Sequence, residues 1–169
     1  MRALRLIALA CTATAAACSQ AAPPETVACD GVPRIELTGR LVDNGAMLDT
    51  AGRTRVSEAL ADYEVATGRQ LVVATITSLD GLQIHNYGHC LGNRWGIGDA
   101  VRDDGVIILL AKSERQMRIA TGIGAEDLLT DEEAGRIVRQ MTPRFRDGQI
   151  ATGLLLGIEA IKAEMGTAS

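Results

Sequence analysis

Residues 105–122 read GVIILLAKSERQMRIATG, and the fold turns on them. Val106 to Ala111 is an unbroken apolar run, short for a helix and suited to a strand covered on both faces. Ser113, Glu114, Arg115 and Gln116 supply a polar turn. Met117 to Gly122 then alternates apolar with polar, as a half-buried edge strand does. So tight a turn makes the two strands antiparallel. Upstream, QLVVATIT at 70–77 is a second buried strand rich in β-branched residues. The segment between them, 78–98, reads as a helix that turns Leu82, Tyr87, Leu91 and Trp95 inward. Strand, helix and strand in that order give a parallel pair with a right-handed crossover.

The flanks follow the same logic. Residues 49–68 carry Val56, Ala59, Leu60 and Tyr63 at helical spacing and stop at Gly68. LLTDEEAGRIVRQM at 128–141 starts on a Thr130–Glu133 capping box, buries Ile137, Val138 and Met141, and is expected to end at Pro143. A last helix is expected from Asp147 or Gln149, with Leu154, Leu155, Ile158 and Ile161 inside. IELTGRLVD at 35–43 is a short extended lead-in. The expected class is α/β, a mixed β-sheet sandwiched by helices.

Composition narrows the setting. The 169-residue chain is 47% hydrophobic with a net charge of −4. It has no basic patch with interleaved aromatics, which argues against nucleic-acid binding. Its start, MRALRLIALACTATAAACSQAAPPE, has Arg2 and Arg5 before an apolar, small-residue stretch, so residues 1–17 are expected to be a signal peptide. Ala-Ala-Ala before Cys18 resembles a bacterial lipobox, with Ala15 where leucine is usual. Lipidation of Cys18 is the expectation, although an A-x-A cleavage site also fits. Ser19 in the next position would permit outer-membrane sorting in a Gram-negative cell. Residues 18–36 then form a lipidated N-terminus and tether, and 37–169 the domain. Loss of Arg2 and Arg5 with the signal would leave 15 basic against 21 acidic residues. No later apolar run reaches the ~18 residues that a membrane span needs.

With Cys11 removed in the signal and Cys18 lipidated, Cys29 and Cys90 remain. An oxidising envelope permits a disulfide between them. Two free thiols, with Cys90 buried on its helix, is the other reading, and both stand at this stage. No C-x-x-C spacing suggests a metal site.

The topology gathers carboxylates. Asp103 and Asp104 precede one strand, and its antiparallel partner returns to Gly122 beside them. GIGAEDLLTDEE then delivers Glu126, Asp127 and Asp131 to the same rim. Oxygen-only donors of this kind suit hard cations, Ca²⁺ or Mg²⁺. Local roles compete with that reading. Asp131 is favourable at a helix N-terminus and Asp103-Asp104-Gly105 is ordinary turn chemistry. Ligands of open α/β sheets more often take the opposite rim, where Ser78, Asp80 and Gly81 lie. His85 and His89 are four apart with no intervening glutamate, and read as surface polar residues. There is no G-x-S-x-G elbow, Walker sequence or G-x-G-x-x-G spacing.

Taken together, the residues resemble the TPM domain family, which includes thylakoid lumen acid-phosphatase-like proteins and bacterial envelope proteins. The ordered landmarks are GRLVDNGAML at 39–48, TGRQLVVATITSLDG at 67–81, WGIG at 95–98 and DDGVIILLA at 103–111. Arg115, Arg118 and Ile119, then GIGAEDLLTDEEAGRI at 122–137 and PRFRDG at 143–148, complete the set. The resemblance implies an α/β/α sandwich, membrane association, and divalent-cation binding or weak acid-phosphatase activity. Its acidic positions correspond to Asp103, Glu126 and Asp131. Asp104 stands where asparagine is usual and is added to the expected metal set. Asp127 replaces a common glycine, and Ala120 a frequent acid. The expected protein is a lipid-anchored, periplasm-facing accessory module for a membrane-protein complex, with Ca²⁺ or Mg²⁺ on its acidic rim. A metal-dependent phosphatase and a ligand-free scaffold are the alternatives. No nucleophile or general acid is evident beside the carboxylates, which favours the binding module.

Overall fold

The computed structural model describes residues 29–166. The expected signal peptide and Cys18 lie outside them. Four strands form one mixed sheet in the order β1-β2-β3-β4: Leu41–Asp43, Leu71–Ile76, Val106–Ala111 and Gln116–Thr121. β1, β2 and β3 are parallel, and β4 returns antiparallel to β3 with Val106 opposite Thr121. The lead-in is thus a third parallel strand at the sheet edge. Its Asp43 carboxylate accepts from the Thr75 hydroxyl and from the Met47 N–H.

Every residue of β2 and β3 is buried. Because strand side chains alternate, each strand feeds two cores. Leu71, Val73, Val106, Ile108 and Leu110 face helices α1 (Thr50–Thr67), α3 (Asp131–Arg146) and α4 (Ile150–Met165). Val72, Ala74, Ile76, Ile107 and Leu109 face α2 (Ile84–Trp95), through Tyr87, Cys90 and Leu91. The helices therefore cover both faces of the sheet.

α1 is capped by Asp49, which accepts from the Gly52 N–H at 2.7 Å, and stops at Gly68 in the left-handed region. α3 opens with the expected capping box, both halves present. It does not stop at Pro143 but continues to Arg146. A proline here forfeits one intrahelical bond, and the extra turn recovers packing: Phe145 lies against α4 where a Cβ on Gly153 would stand 2.4 Å from its ring. Leu154, Ile158 and Ile161 are fully buried on α4, whereas Leu155 is half-buried. α2 is shorter than expected, starting only at Ile84, and Leu82 packs beside the core from the preceding turn.

A disulfide joins Cys29 to Cys90, with Cα atoms 5.6 Å apart. It fastens the N-terminal strap to α2, and Val32 of the strap joins the core cluster beneath that helix. The Arg94 guanidinium donates to the carbonyls of Cys29, Val32 and Pro33, and the Trp95 indole donates to that of Ile35. Trp95 is half-buried against the core beneath α2, and its indole N–H holds the strap as well.

Candidate functional site

The site grows from the loop between α2 and β3. Asp99 organises it: its Oδ1 accepts from the N–H groups of Val101 and Arg102, and those bonds pull its pKa down, the Arg102 N–H foremost. Its backbone carbonyl accepts from the Asp103 N–H at 2.7 Å. Asp103 consequently sits at φ +48°, an uncommon conformation for a residue with a side chain.

The loop after β4 is pressed onto that turn. The Gly124 N–H donates to the Asp103 carbonyl at 3.0 Å, and the Ile123 N–H to its Oδ2 at 3.1 Å. A Cβ on Gly122 would lie 2.2 Å from the Asp103 carbonyl oxygen, and one on Gly124 1.7 Å from that of Arg102. Backbone meets backbone there, which only glycine allows. A short 3₁₀ turn, Ile123–Ala125, then leads to Glu126 and Asp127, and Thr130 caps α3.

The result is a cleft of about 460 Å³ between α2 and this double loop. Asp103, Glu126, Asp127 and Asp131 line it from one side, and His85, His89 and Asn93 of α2 from the other. Arg118 of β4 reaches across, its guanidinium 3.6 Å from Asp131 Oδ1. The Asn93 amide lies 2.8 Å from His89 Nε2; with the amide as donor, that nitrogen is the unprotonated acceptor.

Asp104 is absent from the cleft. It is only 2% exposed and points the other way, into two arginines. Arg102 Nε donates to its Oδ2 at 2.8 Å, Arg69 Nε stands 3.5 Å from the same oxygen, and the Asp99 N–H donates to Oδ1. Burial pushes its pKa up, but these bonds and the Arg102 charge outweigh burial and hold it below the usual carboxylate range. Beneath it the buried Tyr63 hydroxyl is pushed up to about 12, chiefly by burial. Asp104 acts as the buried anchor of the turn that presents Asp103.

Of the residues singled out from sequence as metal ligands, Asp103, Glu126 and Asp131 share the cleft, Asp127 joins them, and Asp104 does not. His85 and His89 are exposed, as expected of surface polar residues, and they also line the cleft. Their i, i+4 spacing on one helix face was visible, but only the packing of α2 against β4 puts that face opposite the carboxylates. The opposite rim is already committed: Glu114 accepts from the Ser78 hydroxyl and the Leu79 N–H.

Carboxylate oxygens are the donors a hard divalent cation takes. Among the described residues no three His, Cys, Asp or Glu side chains already stand close enough to hold one. Glu126, Asp127 and Asp131 are exposed, and Asp131 is held beside Arg118.

Comparison with known proteins gives the family. The chain matches the TPM domain over residues 41–164. No curated protein gave a significant match. Among solved structures it resembles the N-terminal domain of a P. gingivalis protein, at 26% identity and TM-score 0.68, over 75% of this chain and 82% of that one. The BA42 protein of Bizionia argentinensis aligns at 18% identity and TM-score 0.62, over 70% and 81%. The N-terminal domain of the cg2496 protein from Corynebacterium glutamicum aligns at 17% and 0.61, over 81% and 86%. At these identities the last two establish the fold alone. A family match across most of the chain, on an α/β/α frame shared with these domains, leads to one conclusion: this chain belongs to the TPM domain family.

Proposed function

We propose that this TPM domain is an envelope accessory module that binds a divalent cation, Ca²⁺ or Mg²⁺, in the cleft between α2 and the double loop. One observation carries the reading: two separate loops, joined backbone to backbone through Asp103, line a single cleft with Asp103, Glu126, Asp127 and Asp131. Asp103 would hold the ion from the rigid turn, and the three exposed carboxylates would close over it, Asp131 leaving Arg118. Binding to the native state alone stabilises by mass action, about 2.7 kcal/mol at a hundredfold excess over Kd. Isothermal titration with Ca²⁺ and Mg²⁺ is expected to give saturable heat and a raised melting temperature. Asp103→Asn with Asp131→Asn should abolish both. The absence of heat with the wild-type chain would leave a ligand-free scaffold.

The two histidines favour a second reading, a metal-dependent phosphatase, since an imidazole opposite the carboxylates offers a proton donor. In that role water would add to phosphorus as the P–O ester bond breaks, His89 or His85 would protonate the leaving alcohol, and Arg118 would pair with a phosphoryl oxygen. Turnover of a phosphomonoester that is lost in His85→Gln or in His89→Gln, with cation binding intact, would select the enzyme over the binding module.

Location is part of the same proposal. With Cys18 lipidated, the tether would hold the strap side of α2 near the envelope membrane. Fractionation should find the wild-type chain in membranes and Cys18→Ala in the soluble fraction. An unchanged distribution would remove the lipid anchor.

A further inference from the structure

A second concavity, about 860 Å³, opens at the other end of the sheet, between the β3–β4 turn and the α3–α4 turn. Its floor is apolar, with Met47, Met117, Phe145 and Ile150 half-buried. Its charged lining is of one sign: Lys112 and Arg115 on the first turn, Arg146 on the second, and no carboxylate. In a chain of net charge −4 that is a pronounced local asymmetry. Lys112 Nζ spends one of its protons on the Gly45 carbonyl at 3.0 Å. Arg115 and Arg146 are exposed and make no ion pair among the described residues.

From this we infer that the groove takes an anionic lipid, its acyl chain on the floor and its charged headgroup between the cations. Charge complementarity selects an anion. The floor selects an acyl chain over a polypeptide. A peptide brings an N–H and a C=O with each residue, and these cost free energy when buried without partners. The carbonyls could take donors from Lys112, Arg115 and Arg146, but the side chains that could accept from the N–H groups are only Gln116 and Thr142, whose hydroxyl donates to the Val138 carbonyl at 2.7 Å. Two methionines supply adaptable thioethers that mould to a flexible chain. The volume lies within the range of small-ligand sites, ~300–1,000 Å³. The groove shares no lining residue with the carboxylate cleft, so the inference stands apart from cation binding.

The test uses the full chain labelled at its methionine methyls. Lysophosphatidylglycerol, kept below its micelle concentration, is expected to shift the Met47 and Met117 signals saturably while those of the core residues Met141 and Met165 stay still. Lysophosphatidylcholine of the same chain length should bind at least tenfold more weakly, and inorganic phosphate should shift neither signal. Arg115→Glu with Arg146→Glu removes both unpaired cations, keeps the Lys112 contact with Gly45, and should weaken the anionic lipid at least tenfold. Asp103→Asn should leave its binding unchanged. Equal affinity for the two lipids, undiminished binding by the double variant, or Met141 and Met165 moving in step with the groove signals would overturn the inference. So would tighter binding of a glutamate-rich amphipathic peptide than of the anionic lipid, which would make the groove a protein-docking surface.

Discussion

Replacing both Cys29 and Cys90 with alanine is expected to lower the unfolding free energy by about 4 kcal/mol, the chain-entropy value for the 61-residue separation that the bridge closes. For a domain of this size that corresponds to a fall in melting temperature of roughly 12 °C. The effect arises mostly in the unfolded chain, which gains the freedom that the cross-link denied it. The native strap keeps its other attachments, with Arg94 still donating to three carbonyls and Trp95 to a fourth. Two observations should therefore separate. Thermal or urea unfolding should show the loss, with a steeper urea dependence as the unfolded state expands. The Trp95 environment in the folded state should barely change. A loss below about 1 kcal/mol would mean that the unfolded chain is held by something other than the bridge.

The second large effect is at Asp104. Asp104→Asn keeps an acceptor for the Asp99 N–H but turns an amide donor toward Arg102 and Arg69. Breaking a buried ion pair typically costs ~3–5 kcal/mol, because the partner charge is left uncompensated. Here the Arg102 side chain is 55% exposed and can return to water, so the expected cost is about 3 kcal/mol, at the lower end of that range. pH provides the check. The Asp104 pKa is lowered on folding, so its carboxylate stabilises the native state above the unfolded value of about 4 and loses that contribution as pH falls through the folded value. The gap between wild type and Asp104→Asn should be full at neutral pH and should narrow only below about pH 4. A gap that stays constant down to pH 2 would mean that charge is not what Asp104 contributes. Because this residue braces the turn that carries Asp103, its loss would also blunt the proposed cation binding indirectly. Asp103 and Asp131 are accordingly the cleaner substitutions for testing the cleft.

Much of the fold was legible from local pattern. The runs at 71–76 and 106–111 could be satisfied only between two apolar layers, and the tight turn before Met117 left β4 one direction to run. Thr130 and Glu133 announced the start of α3 because a capping box is a short-range device. Pro143 misled for the matching reason. Its local penalty is real, but the last turn stays helical and sets Phe145 against Gly153 of the next helix, a contact between two elements that the proline's own neighbourhood does not reveal.

The carboxylate rim was legible to the same depth and no deeper. Sequence order and strand direction by themselves brought Asp103 and the 126–131 loop to one edge, since a strand's two ends are fixed once its partner's direction is known. Which way each side chain turns at that edge was decided only by the tertiary structure. Adjacent aspartates at 103 and 104 look alike in sequence, yet one lines an open cleft and the other is buried between arginines that arrive from residues 69 and 102. The same holds for His85 and His89, whose helix spacing says nothing about what lies across from them, and for Cys29 and Cys90, which must come within disulfide reach before an oxidising compartment can join them. Periodicity and turn chemistry are properties of neighbours along the chain, so the sequence alone determined the elements and their order. Pairing, burial of charge and the two concavities depend on residues far apart in the chain, and those only packing could decide.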